Sequence, residues 1–320
     1  VLRYKKANVA GAWSAGGNLN TGRYEGECIG IQTAALWFGG VLAPGPGAQV
    51  ITESYNGSAW TEVNDLNAAR DYLAGAGTTS AGLAFGGEPT TAANESWNGT
   101  SWTETTDMNV AKDFHCGSGT QTAALAFGGE DPGGLTAKNE SWNGSGWTEV
   151  GDLNTARRSA GAATQLATTS LMFGGDTVGN GTPTQATESW NGSSWTEIAE
   201  INTGGNGRAS GGSPQTDGLV FGSSTSPRGQ NESWNGTAWT ELSDLNTGAS
   251  MRGASSTGST NALAFGGKVN PPVTVNTESW DGSSWTEVAN IGSARYSGAY
   301  GGSGNTSALF AGGSNPPTFN

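Results

Sequence analysis

Apolar positions come in short bursts separated by polar and glycine-rich stretches, and no segment of ten or more residues keeps a helical period with caps. One burst, closing on glycine, returns seven times: ALWFGG at 35, LAFGG at 83 and 125, LMFGG at 171, LVFGS at 219, LAFGG at 263 and LFAGG at 309. Its first glycine recurs every 42 to 48 residues, the spacing of repeated β units. A second phrase, ESWNGTSWTE at 95, returns near-verbatim at 140, 188, 232 and 278, and at 53 with Tyr55 for the first aromatic. Asn98-Gly99 between Trp97 and Trp102 predicts a tight type I′ hairpin with an aromatic on each strand. One unit then reads as four strands, in the second repeat about Tyr72 to Gly77, Gly82 to Gly87, Ala93 to Trp97 and Ser101 to Thr105. The first of these is rich in Ala, Gly and Ser, as expected for the strand nearest a crowded axis.

The tryptophan that ends each hairpin keeps the same step, at Trp13, Trp60, Trp102, Trp147, Trp195, Trp239 and Trp285. An apolar residue follows six positions later, from Leu19 to Ile291, and then a basic one: Arg23, Arg70, Lys112, Arg157, Arg208, Arg252 and Arg295. The basic residue stands ten positions after the tryptophan in five repeats and thirteen after it at Arg208 and Arg252.

A basic residue, a strand ending in Gly-Gly, an aromatic and then a tryptophan resemble the kelch repeat, whose units build four-stranded propeller blades. The spacing of five between aromatic and tryptophan, and Gly222-Ser223 in place of a double glycine, depart from the usual kelch pattern. The wording ESWNGSSWTE with LNTAR and GTQTAALAFGG also resembles kelch-like virion and tail-associated proteins of marine bacteriophages, cyanophages included. The expected fold is all-β, a single seven-bladed propeller over residues 1–320, with blades starting near 24, 71, 113, 158, 209, 253 and 296. Residues 1–16 are expected to supply the outer strands of the blade that the C-terminal unit begins, leaving no open sheet edge.

Composition agrees with many turns and small inter-sheet cores: 54 glycines in 320 residues, 13% charged and 34% hydrophobic. A formal charge of −13 argues against nucleic acid, whose phosphates demand a basic face. No apolar run reaches the roughly 18 residues of a membrane span, and Val1 opens the chain without a signal-like stretch. Two cysteines, Cys28 and Cys116, fall in non-adjacent blades and are expected as free buried thiols.

The connections between the double glycine and the next Glu-Ser vary in length, and a propeller puts them on the face that carries the basic residues. That face is where a partner is expected. The seven basic residues either form a ring reading carboxylates or sugar hydroxyls, or hold carbonyls and acidic side chains between blades. Residues that break the repeat there, Trp37, Tyr72, Phe114, His115 and Arg158, are ligand candidates or local packing. The tryptophans are sugar-stacking platforms or inter-sheet packing, and the repeated glutamates are Ca²⁺ ligands or solvated outer carboxylates. A single histidine supplies neither a metal-binding pair nor a catalytic triad. The expectation is a non-catalytic module without cofactors, a virion protein for host attachment or decoration, in contact with other virion proteins or a host-surface glycan or protein, and multimeric on the particle. The alternative is an extracellular carbohydrate-binding lectin.

Overall fold

The computed structural model describes residues 2–5, 12–42, 45, 47–177, 183–212, 216–251, 253–269, 272–302 and 304–314. Six four-stranded antiparallel sheets are each built from one unbroken stretch of chain. Their inner strands are Glu27–Ile31, Ala74–Thr78, Cys116–Thr120, Gly161–Leu166, Ala209–Gly211 and Gly253–Gly258. In the second, Ala74–Thr78 is followed outward by Ala81–Phe85, Asn94–Trp97 and Trp102–Glu104. A further four-stranded sheet draws on both ends of the chain: Ala299–Gly302 and Ala308–Ala311 inside, Leu2–Lys5 and Ala12–Ala15 outside, with Leu2 opposite Phe310. The inner strands neighbour one another in a closed cycle, Ala299–Gly302 lying between Gly253–Gly258 and Glu27–Ile31. This is an all-β propeller, and among the described residues the one helical turn is Gly304–Thr306.

Blades are joined through aromatic contacts. In every sheet but the first, the outer-strand tryptophan meets the phenylalanine that ends the second strand of the preceding one, with ring centroids 4.8 Å apart for Trp102 and Phe38 and 5.2 Å for Trp239 and Phe173. Trp13 meets Phe265 in the same way at 5.0 Å, so the composite sheet docks on its neighbour as the others do. A second stitch is polar. The second glycine of the double glycine donates its N–H to the carbonyl of the next linker, as Gly87 does to Lys112 at 3.0 Å and Gly313 does to Arg23 at 3.1 Å. Gly86 and Gly87 have φ of 64° and 117°, and a Cβ on Gly86 would stand 2.6 Å from the Lys112 carbonyl, so only glycine permits this approach.

Three local expectations need correction. The hairpin is a four-residue turn, not a two-residue type I′: Trp97 pairs with Trp102, and Gly99 takes φ of 92° while Asn98 stays out of the left-handed region. The cause is the Asn98 side chain, whose Oδ1 accepts the N–H groups of Thr100 and Ser101, both at 2.9 Å. Trp37 is packing. The last repeat reads LFAGG instead of LAFGG, so Ala311 stands where other sheets have phenylalanine, and Trp37 fills the space against Tyr55, Trp60, Leu309 and Ala311. The two cysteines are free, as expected, but half-buried on inner strands instead of fully enclosed.

Candidate binding site at the mouth of the central channel

Six of the linkers from one blade's outer strand to the next blade's inner strand fold around a buried carboxylate. Arg70 donates to Glu95 Oε1 at 2.6 Å and to the carbonyls of Gly86 and Ala93 at 3.1 and 2.7 Å. Glu95 Oε2 meanwhile accepts from the Asn67 backbone and side-chain nitrogens at 2.7 and 2.8 Å. Glu53, Glu140 and Glu188 are held likewise by Arg23, Lys112 and Arg157, at 2.5, 3.4 and 3.0 Å. All four of these cations are essentially without solvent exposure, and burial pushes their pKa values down against the pull of the partner carboxylates. They serve the scaffold and are not presented to a ligand. The third-strand glutamates are therefore buried, which corrects the expectation that the repeated carboxylates are solvated; outer-strand ones such as Glu104 are exposed. Among the described residues no three acidic, His or Cys groups converge as a metal site.

The odd spacing at Arg208 has a physical explanation. Gly205 occupies the position Arg157 holds one blade earlier, and a Cβ there would stand 2.3 Å from Arg208 Nε. Arg208 reaches back from three residues downstream into that vacant volume, its Nη1 coming to 3.8 Å from Glu232 and its Nη2 donating to Thr203 O at 2.6 Å. Arg252, with the same spacing, lies outside the described residues. Arg295 has no repeat glutamate opposite it, since Leu2 holds that register position; it donates to Gly312 O at 3.1 Å and stacks on Phe310 at 5.5 Å.

Past the clasp the chain turns toward the axis through a residue in the left-handed region: Glu25, Tyr72, Phe114, Ser159, Gly207, Met251 and Ser297. These residues bond to one another around the mouth. Tyr72 N–H donates to Glu25 O at 3.0 Å, Phe114 to Tyr72 at 3.3 Å, Ser159 to Phe114 at 3.5 Å, Met251 to Gly207 at 2.9 Å, Ser297 to Met251 at 3.3 Å and Glu25 to Ser297 at 3.2 Å. Six of the seven are not glycine, so the tertiary hydrogen bonds hold a conformation that side chains ordinarily avoid. Isolated bridges such as Asp71 to Glu88 and Arg158 to Asp176 tie this rim to the variable loops, which share its face.

Inside the rim is a cavity of about 740 Å³. Its lining is where the repeats stop resembling one another: Glu25-Gly26-Glu27 in the first, Tyr72-Leu73 in the second, Phe114-His115-Cys116 in the third and Arg158-Ser159-Ala160 in the fourth. The Tyr72 and Phe114 rings lie 3.9 Å apart, and Tyr72 shares a hydrogen bond with Glu25 that together with burial holds the phenol protonated. Arg158 pairs with Glu130 and lies 5.3 Å over Phe114, and Asn206 donates to both oxygens of Asp176. His115 is 8% exposed, both ring nitrogens lack a partner, and burial beside Lys112 and Arg70 drops its pKa to about 3, so the imidazole is neutral. Burial pushes Glu27 up to about 8 and the Cys28 and Cys116 thiols up to about 12, leaving those thiols unreactive at neutral pH.

Of the residues singled out from sequence, Tyr72, Phe114, His115, Arg158 and Arg208 line this cavity, while Arg23, Arg70, Lys112, Arg157, Arg295 and Trp37 do not. Glu25, Glu27 and Tyr300 also line it and were missed. The signal was present in the sequence: they stand two to five positions after the clasp residue, where one repeat differs from the next.

The fold and this axial mouth place the chain among the β-propellers. The solved structure of YjhT is similar, with a TM-score of 0.64 at 13% identity over 86% of this chain and 100% of that one, a likeness of fold alone. No family model and no curated protein matches the chain.

Proposed function

We propose that the chain is a seven-bladed, kelch-like binding module without catalytic activity, the composite sheet being its seventh blade, mounted on a bacteriophage particle to attach to or decorate a surface. The observation that carries this reading is the concentration of sequence difference on one face. Hairpins, clasps and tryptophans are near-copies, whereas the loops after the double glycines and the residues at the mouth are all unlike. A rigid disc that varies only there is suited to contact a partner, with affinity raised by multivalency when several copies share one particle.

The bland reading, that these differences merely fill local gaps, accounts for Trp37 but not for the partnerless His115 imidazole at an open cavity. A second reading is an extracellular lectin, favoured by the cavity's combination of aromatic faces with hydrogen-bonding groups. Surface plasmon resonance on immobilised host cell envelopes, together with a glycan array, tests both. Binding that is lost on exchange of the 88–94 and 130–138 loops supports the module. Binding that survives the exchange, or its absence from both surfaces, overturns it.

A further inference from the structure

The deep end of the mouth is asymmetric in charge as well as in shape. Two carboxyl groups, Glu25 and Glu27, enter the cavity from the first blade, and among the described residues neither forms an ion pair. Of the described cations nearby, Arg158 pairs with Glu130, and Arg208 donates through one nitrogen to Thr203 and Gln230, lies 3.8 Å from Glu232 and keeps Nε and Nη1 buried without a hydrogen-bond partner. His115 contributes a neutral imidazole to the wall, its two ring nitrogens buried and without a hydrogen-bond partner. The wall around these groups is aromatic, with Tyr72 and Phe114 on one side and Tyr300, 44% exposed, on the other.

Carboxyl groups without counter-ions, beside ring faces and within a partly desolvated cavity, are the features that recognise an ammonium group, by Coulomb attraction and by the quadrupoles of the rings. An anion would meet two carboxyls, and the described lining cation with unpartnered nitrogens, Arg208, is buried beside Glu232. A neutral polyol would find hydrogen-bonding groups but would gain nothing from the charge the carboxyls can take on. We infer that the mouth of the channel holds a subsite for an ammonium-bearing ligand, with Glu27 as its counter-ion, Tyr72 and Tyr300 as its aromatic walls and His115 as a neutral hydrogen-bonding partner for the rest of the molecule. This rests on the reading of that face as a binding face, and it names the chemistry that face selects. Burial holds the Glu27 carboxyl protonated in the empty cavity, and an arriving ammonium group favours its ionised form, so binding near neutral pH releases a proton.

Isothermal titration calorimetry on the full chain tests the inference with two matched pairs: choline against its neutral carbon isostere 3,3-dimethylbutan-1-ol, and glucosamine against glucose. Each ammonium compound is expected to bind at least tenfold more tightly than its neutral counterpart, and Glu27→Gln to remove that preference while the melting temperature holds. A preference confined to choline assigns the subsite to alkylammonium groups; one confined to glucosamine assigns it to amino sugars. Equal binding of the neutral members, an unchanged preference in Glu27→Gln, or no heat from any of the four overturns it. His115→Ala, expected to weaken binding of all ligands alike, separates a role in shape from the charge preference. Calorimetry and surface binding fail independently: a Glu27→Gln chain that still adheres through its loops retains the module and loses only this subsite.

Discussion

The clasp and the mouth lie within a few residues of one another in every repeat and are built on opposite rules. At the clasp, Arg70, Glu95 and Asn67 exchange short hydrogen bonds out of contact with water, and the arrangement is rebuilt around Glu53, Glu140 and Glu188 with little change. When the second glycine of Asn202-Thr203-Gly204-Gly205 leaves the clasp position without a side chain, Arg208 supplies the cation from elsewhere. At the mouth the backbone is kept and the side chain is not: Glu25, Tyr72, Phe114, Ser159, Gly207, Met251 and Ser297 share one conformation but range from carboxyl to aromatic ring, hydroxyl, thioether and no side chain. The difference teaches that repetition marks what a blade needs in order to dock, and non-repetition marks the surface left over for a ligand.

The comparison is broken most forcefully from the scaffold side. Trp190→Ala and Trp195→Ala each remove a buried indole and are expected to destabilise the whole ring by about 3 to 5 kcal/mol, read as a shifted urea midpoint with a single transition. A loss confined to ligand binding, with the midpoint unmoved, would make that tryptophan part of a site. Glu95→Ala strands the buried Arg70 guanidinium and is expected to cost about 3 kcal/mol; a loss below about 1 kcal/mol would show that the clasp is not what holds the linker.

A gain sharpens the same contrast. Trp102 and Trp239 donate to the hydroxyls of Thr52 and Thr187 at 3.0 and 3.2 Å, whereas Trp195, whose corresponding neighbour is Asn139, has no partner for its indole N–H. Asn139→Thr is expected to stabilise by roughly 0.5 to 1.5 kcal/mol, seen as a raised melting temperature. At the mouth the expected effect is a pH slope. Burial raises Glu27 from its ordinary 4.5 to about 8, so the folded state holds more protons between those values. Its contribution is complete below about 4.5 and is lost as pH rises toward 8, with Cys28, Cys116 and Tyr300 around it titrating higher. Glu27→Gln should flatten that limb in pH-dependent urea melts, and an unchanged slope would place the proton elsewhere. The smallest effect is expected at the exposed turn of the sixth blade. There the Asp281 carboxylate replaces asparagine, accepts from Ser283 and Ser284 at 2.9 Å and is held below its usual pKa by those bonds. Asparagine accepts the same bonds, so Asp281→Asn should leave neutral-pH stability unchanged and remove only the loss of stability that Asp281 brings as pH falls through and below the ordinary carboxylate range.

Much of the scaffold was legible because its cause is local and repeated. Period, glycine punctuation and the pair of tryptophans are all read along one strand, and Gly-Gly at 86 and 87 announces a close backbone approach before any partner is known. The hairpin was misjudged because Asn98 competes for the backbone with its own side chain, a choice between two local hydrogen-bonding schemes that an Asn-Gly pair alone does not settle. Trp37 was misjudged for a longer-range reason. It compensates for Ala311, 274 positions away in the chain and adjacent only once the ring has closed.

By itself the sequence determined a circle of small four-stranded units with a tryptophan seam, because each unit buries too little apolar surface to stand alone and every copy offers the same docking face. Which basic residues point inward, which seven residues adopt the left-handed turn and which unlike side chains meet over the axis were decided only by the tertiary structure. Those choices depend on neighbours brought together by closure, and no one repeat contains them.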